Sequence, residues 1–190
     1  MLSAVATQLP LVWRHFRLGP ARRPSPRANA IAYSVSTWGI HNNHPELDLI
    51  EGGFISIGWD RLGDLRSIGP DRQDMKARVA EAYPEAKTRA IAAWVGVLTR
   101  FTFEMSPGDL VIYPFKPDST LNFGLIEGDY TFAPHAPLHR SRRAVRWLHT
   151  GVPRGLFSTK ACYELGSALT LFRVRRHEPE FAAFAGWTPI

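Results

Sequence analysis

Ala32 to Asp64, AYSVSTWGIHNNHPELDLIEGGFISIGWDRLGD, is the stretch that decides how this chain is read. It carries two runs of β-forming residues, Ile31–Thr37 and Phe54–Trp59, each beside a tryptophan, with a His- and Asn-rich loop between them. Trp38-Gly39 reads as the point where the chain leaves the sheet. Pro45 followed by Glu46–Ile50 reads as a short helical turn that Gly52-Gly53 stops. Aromatic side chains at strand ends, beside amides and imidazoles, suit a planar ligand whose face stacks while its edge is hydrogen-bonded, as a nucleobase is.

Further along, Asp71–Tyr83 reads as a capped helix ended by Pro84. A stronger one runs over Glu85–Phe103, where Ile91, Trp94, Val95, Leu98 and Phe101 recur at three- and four-residue steps and Trp94 reads as core. Turns at Ser106–Asp109, Pro117-Asp118 and Gly128-Asp129 then separate β runs at Leu110–Tyr113, Leu121–Ile126 and Tyr130–Phe132. The densest basic run, His139–Arg146, leads into a strand ending at Trp147-Leu148 and reads either as a solvated loop or as a phosphate-contacting face. Ser158 caps a short helix containing Cys162. Leu169–Val174 is a last strand, and Glu178–Phe184 a helix or the start of a connection. Strands, a helical pair, a meander and a closing strand make an α+β domain with a curved or barrel-like sheet and flanking helices.

Composition bounds the rest. With 190 residues, 45% hydrophobic and 12% aromatic, the chain can bury a full core and fits one domain of roughly 150 residues plus tails. Residues 1–29 hold five Arg, four Pro and no acid. They read as an unordered segment that adds non-specific affinity for nucleic acid, or equally as the product of a misassigned start codon. A domain over 30–176 and a tail or connection over 177–190 follow. The formal charge of +6 and a pI near 9.9 fit a polyanion partner, and arginine suits bidentate phosphate contacts. One cysteine excludes an intramolecular disulfide and a cysteine-rich zinc site and fits a reducing cytoplasm. No run approaches the roughly 18 apolar residues of a membrane span.

Catalytic motifs are sparse. Neither GxxxxGK[ST] nor GxGxxG occurs, which leaves nucleotide hydrolysis and a Rossmann site without support. His41 and His44 lack an obvious third metal ligand. A restriction-type nuclease needs an acid followed by acid-x-Lys on the next strand. Asp118 supplies the first part, but Glu85-Ala86-Lys87 lies upstream of it. No catalytic residue, metal or cofactor is assigned. The binding candidates are Trp38, His41, Asn42, Trp59, Tyr113 and Phe115 for a base, and Lys116, Arg140, Arg142 and Arg143 for phosphates. Trp59 and Tyr113 are weighed against a core role, and Trp38 is favoured for stacking. Asn43, Asn122 and Phe123 are weaker candidates.

Together, Trp38–Asn42, GGFISIGWDRLGDL from Gly52 to Leu65, MSPGDLVIYPFKPDSTLNFGLIEGDY from Met105 to Tyr130, HRSRRAVRWLHTGVPRGLFS from His139 to Ser158 and YELGSALTLFRV from Tyr163 to Val174 resemble the N-terminal domain of Mrr-like restriction endonucleases. That domain belongs to the PUA-like folds, alongside EVE and YTH domains. The resemblance covers about Tyr33–Val174. It implies a PUA-like curved sheet and recognition of DNA, with a modified base in an aromatic pocket. In that family a nuclease domain follows, whereas here sixteen residues with no nuclease motif follow Val174. The expectation is therefore a DNA-recognition module of a restriction system, in which either a separate nuclease partner cuts, the gene is truncated, or the domain has taken another task. An endonuclease fragment and an RNA-binding or protein-interaction module are the alternatives.

Overall fold

The computed structural model describes residues 35–42 and 44–187. The expectations for residues 1–29, for the start of the strand at Ile31 and for Asn43 lie outside the described residues. Six strands in series curl into a half-barrel: β2 (Phe54–Ile57), β6 (Ser141–Pro153), β4 (Thr120–Ile126), β3 (Leu110–Phe115), β1 (Thr37–Ile40) and β7 (Leu171–Val174), with the two-residue β5 (Thr131–Phe132) attached to β6. Neighbours are antiparallel except β1 and β3, which run parallel. Parallel neighbours need a long crossover. Here it carries β2, α1 (Arg72–Ala82) and α2 (Thr88–Thr99).

The side-chain alternation of the strands divides the interior in two. On one face Trp38, Ile40, Val111 and Tyr113 pack with Met75 and Val79 of α1 and with Ile91, Val95 and Leu98 of α2. On the other, Leu110, Ile112, Leu121 and Phe123 meet Ala161 of α3 (Thr159–Glu164) and Phe181 and Ala185 of α4 (Glu178–Ala185). The last helix is thus part of the core rather than a tail. Local signals account for the helix starts: Asp71 Oδ1 accepts from the N–H groups of Gln73 and Asp74, and Ser158 Oγ from that of Ala161. α2 starts three residues later than expected, at Thr88, and ends in a π turn over Arg100–Glu104.

Three expectations are corrected. Trp38-Gly39 does not leave the sheet but lies inside β1, paired with Val111-Ile112 on one side and Arg173-Phe172 on the other. Glycine is required there because a Cβ at Gly39 would collide with the Phe172 ring. The Glu46–Ile50 segment makes hydrogen-bonded turns and no helix. The basic run is not a loop throughout, since Ser141–Arg146 belongs to β6.

Arg143, expected on a phosphate, is instead one of the largest fully buried side chains, 2% exposed. It shares the inward parity of Ser141 and Val145. Its Nε donates to Phe101 O at 2.7 Å, Nη2 to Thr102 O at 3.1 Å and Nη1 to Gly128 O at 3.1 Å. Burial pulls its pKa down against the pull of Asp129 and Asp109. The guanidinium closes the end of the π turn, where carbonyls lack helical partners. Arg143→Ala should lower the unfolding free energy by about 3–5 kcal/mol in a urea titration, because two buried carbonyls and one part-buried carbonyl lose their donor. Arg140→Ala should cost less than about 1 kcal/mol.

Candidate functional site

Two hollows open beside the loop that joins β1 to β2, and they share Asn42, His44 and Pro45. The larger is a cleft of about 980 Å³. Its floor is sheet: Tyr113 and Phe115 of β3 stand on one face, directly opposite Asn122 and Thr120 of β4, with Gly151 of β6 beyond them. The roof is the loop from His44 to Glu51, pinned by Trp147 Nε1 donating to Leu49 O at 2.9 Å. Asp48 Oδ1 shapes this loop by accepting from the N–H groups of Ile50 and Glu51.

The floor is rigid where it meets the roof. Tyr113 O–H donates to Asn42 O at 3.2 Å, Asn122 Nδ2 donates to Tyr113 O, and the Gly151 N–H donates to Asn122 Oδ1. Tyr113 lies edge-on to Phe115 at 6.0 Å and tilted against Trp147 at 6.2 Å. Phe115, by contrast, is 38% exposed at the mouth. Lys116 and Asp118 are exposed beside it, and Asp118 Oδ1 accepts from both the N–H and the hydroxyl of Thr120. The cleft therefore offers an aromatic surface, carboxylates and one ammonium.

The smaller hollow, about 370 Å³, is lined by His41, Asn42, His44, Gly58, Trp59 and His139, with Pro45 and Thr170. Trp59 (φ 67°) and His139 (φ 49°) both adopt left-handed backbone, a conformation that costs a side-chain-bearing residue on the order of 1 kcal/mol or more. Asp60 offsets the strain at His139, since its two carboxylate oxygens accept from the N–H groups of His139 and Arg140 at 2.8 Å each. Trp59 also packs edge-on to Trp94 at 5.8 Å. His41 leans on the Phe172 ring, and its Nδ1 is buried without a hydrogen-bond partner among the described residues.

The structure therefore sorts the residues nominated from sequence into different places. Asn42, Tyr113, Phe115 and Lys116 line the larger cleft, while His41 and Trp59 join Asn42 at the smaller. Trp38 is in neither. It is fully buried, its indole N–H donates to Asp109 Oδ2 at 2.8 Å, and the Arg173 guanidinium lies 4.9 Å from its ring, so a base cannot stack on it. Arg140 and Arg142 are half-buried, and each Nε donates to a carbonyl of the turn before β6, Ala136 O and His139 O respectively. Arg142 also covers the Phe54 ring at 4.2 Å. Ser56, Asp60 and His139 carry no signal in the sequence, because the meeting of Ser56 and His139 with Asn42, and of Asp60 with His139, is made by tertiary structure. The left-handed backbone at Trp59 and His139 leaves no sequence mark in residues other than glycine. Among the described residues no group of three or more His, Cys, Asp or Glu is arranged to hold a metal ion. No helix among them is long and apolar enough to cross a membrane.

Residues 33–166 match the model of the family described as Domain of unknown function (DUF8426), and the chain belongs to that family. The matched span contains every residue that lines the larger cleft. No curated protein and no solved structure matches the chain.

Burial, reinforced by Lys116, holds His41 below the ordinary histidine value of 6.5, and burial does the same to His139 against the attraction of Asp60. The unfolded chain then binds protons more readily than the folded one, so stability is full above pH 6.5 and declines as pH falls through the lowered values. The Tm should drop between pH 7.5 and pH 5.5, and the paired substitution His41→Gln with His139→Gln should flatten that drop.

Proposed function

We propose that this chain is a DNA-recognition module that takes one base, modified or flipped out of the duplex, into the larger cleft. The observation that carries the reading is Phe115, an exposed ring standing at the mouth of a cleft of about 980 Å³ whose floor continues in Tyr113. Extruding a base costs a few kcal/mol of stacking and pairing, and stacking on an aromatic side chain returns about 1–3 kcal/mol. The Asp48 and Asp118 carboxylates accept hydrogen bonds from exocyclic amines on the edge of a base, and Lys116 meets the adjoining phosphate. The likeness of the strand and turn motifs to the N-terminal, PUA-like domain of Mrr-like restriction endonucleases supports the same reading. On that reading the module serves a cytoplasmic restriction system with a separate nuclease partner.

The charge distribution divides the work. Residues 1–34 contain five of the twenty-three cations and none of the seventeen acids, so the remainder carries eighteen cations against seventeen acids. Long-range attraction to phosphate comes from the arginine-rich segment, and selectivity comes from the cleft.

Fluorescence polarisation on matched duplexes carrying cytosine, 5-methylcytosine, 5-hydroxymethylcytosine or N6-methyladenine, at two salt concentrations, tests this. One duplex should bind at least tenfold more tightly than the rest, and Phe115→Ala should weaken that preferred complex by about 10- to 100-fold, in keeping with the stacking contribution. Replacing the five arginines before residue 28 by Gln should flatten the salt dependence and leave the preference intact. Equal binding to all four duplexes would overturn base reading, and tighter binding of competitor RNA would move the module to RNA.

A further inference from the structure

We propose that the neutral imidazole of His139 is a positioning group for the cleft: it holds Asn42 in the wall shared by the two hollows, and taking up a proton releases that wall. The consequence for ligand affinity rests on the reading of the cleft given above, whereas the coupling itself does not.

The hydrogen-bond directions are determined by Asn42. Its Oδ1 accepts from the His44 N–H at 3.0 Å, which fixes the orientation of the amide and turns Nδ2 toward Ser56 and His139. Nδ2 lies 3.2 Å from Ser56 Oγ and 3.5 Å from His139 Nδ1, and Ser56 Oγ lies 3.2 Å from the same Nδ1. An amide nitrogen can only donate. Ser56 Oγ accepts from Asn42, and because Nδ1 also faces the donor-only Nδ2, the arrangement that pairs every group has Ser56 giving its own hydrogen to an Nδ1 that presents a lone pair. Ser56 is fully buried, so no water replaces a lost partner cheaply.

Protonation reverses this arrangement. An Nδ1–H then points at Ser56 Oγ and at a second donor, Asn42 Nδ2, and the serine hydrogen has no acceptor left within the trio. The clash falls on Asn42, whose main-chain carbonyl receives the Tyr113 hydroxyl on the cleft floor. The ring cannot swing away freely, because Asp60 holds the His139 N–H in left-handed backbone and the ring Nε2 packs over Gly58. The charged and titratable groups facing the imidazole are Asp60, which favours the proton, and His44 (ring centroids 5.7 Å apart) and Arg142, which oppose it. Burial opposes it more strongly than any of these, so the ring is neutral at pH 7.5 and the change falls on the acid side of 6.5.

The sign separates this device from ordinary polyanion binding. Proteins that hold DNA by charge alone bind more tightly as pH falls and histidines gain charge. This cleft should bind less tightly. The test is a two-dimensional NMR titration of the ligand-free full chain from pH 8 to pH 5. The Asn42 side-chain amide and the Tyr113 and Phe115 backbone amides should shift with the same midpoint as the His139 ring, and that shared midpoint should vanish in His139→Gln. An Asn42 amide that stays in place while His139 titrates overturns the proposal, as does an unchanged Asn42 titration in His139→Gln. The titration of the unsubstituted chain decides the matter alone should the variant not fold. In polarisation assays with the preferred duplex, affinity should fall at least fivefold between pH 7.5 and pH 5.5, and His139→Gln should lose that fall. Absence of binding to all duplexes at every pH would sink the base-reading function, while a shared NMR midpoint would still establish the coupling of His139 to Asn42.

Discussion

The carboxylate of Asp109 is the joint on which the sheet depends. It is 2% exposed and accepts three hydrogen bonds: Oδ1 from the Ser36 N–H, and Oδ2 from the Trp38 indole and the Ser106 N–H. One side chain thus ties the start of β1, the largest buried ring and the turn that opens β3. A buried carboxylate survives only when its oxygens are satisfied this fully. Because β1 and β3 are parallel, no hairpin turn sets their register, and the Asp109 contacts supply the constraint that a turn gives an antiparallel pair. Arg143 does the corresponding work a few residues upstream on the crossover, binding the π turn to β6. Two buried charges, both unpromising as sites, thus tie β1 to the turn before β3 and the π turn to β6.

That arrangement explains where sequence reasoning reaches and where it stops. The helix at Asp71 is legible because its cap, its periodicity and the following Pro84 are all local. The meander from Leu110 to Phe132 is legible because its turns carry Gly, Pro and Asp, and with it the curved α+β architecture. Trp38 is misread because it adjoins a polar loop, and its hydrogen-bond partner lies 71 residues away. Arg143 is misread because a run of arginines looks like surface, although its alternation with Ser141 and Val145 already assigns it inward. The larger cleft is half visible, through Asn42, Tyr113, Phe115 and Lys116, all at strand ends. Its roof is not. Nothing local in Leu47–Ile50 announces a lining, and only the Trp147 indole, reaching from β6, makes that loop a wall.

The site combines fixed and free parts in a way that suits recognition. Tyr113, Asn122 and Asn42 are committed to one another and define shape, whereas the Phe115 ring and the Lys116 ammonium stand at the rim. Preorganised walls spare a ligand the cost of ordering them, and an exposed rim adapts to what enters. The smaller hollow differs. Its strained backbone at His139 is held by a single carboxylate, so a modest local change there can alter the wall it shares with the cleft.

The placement of β1 also bears on how the protein is made. Its two neighbours are β3, beyond the whole crossover, and β7, which ends at Val174. During synthesis β1 must therefore wait for the whole crossover before its first edge is paired and for the chain as far as Val174 before its second is. Until β3 arrives, Trp38 and Ile40 have no sheet in which to bury. Synthesis at roughly 5–20 residues per second leaves that interval several seconds long. Long-range pairing of this kind is slow even once the chain is complete. The protein is built so that an early strand is completed late, which makes the nascent chain, rather than the finished fold, the form most exposed to aggregation and to chaperones.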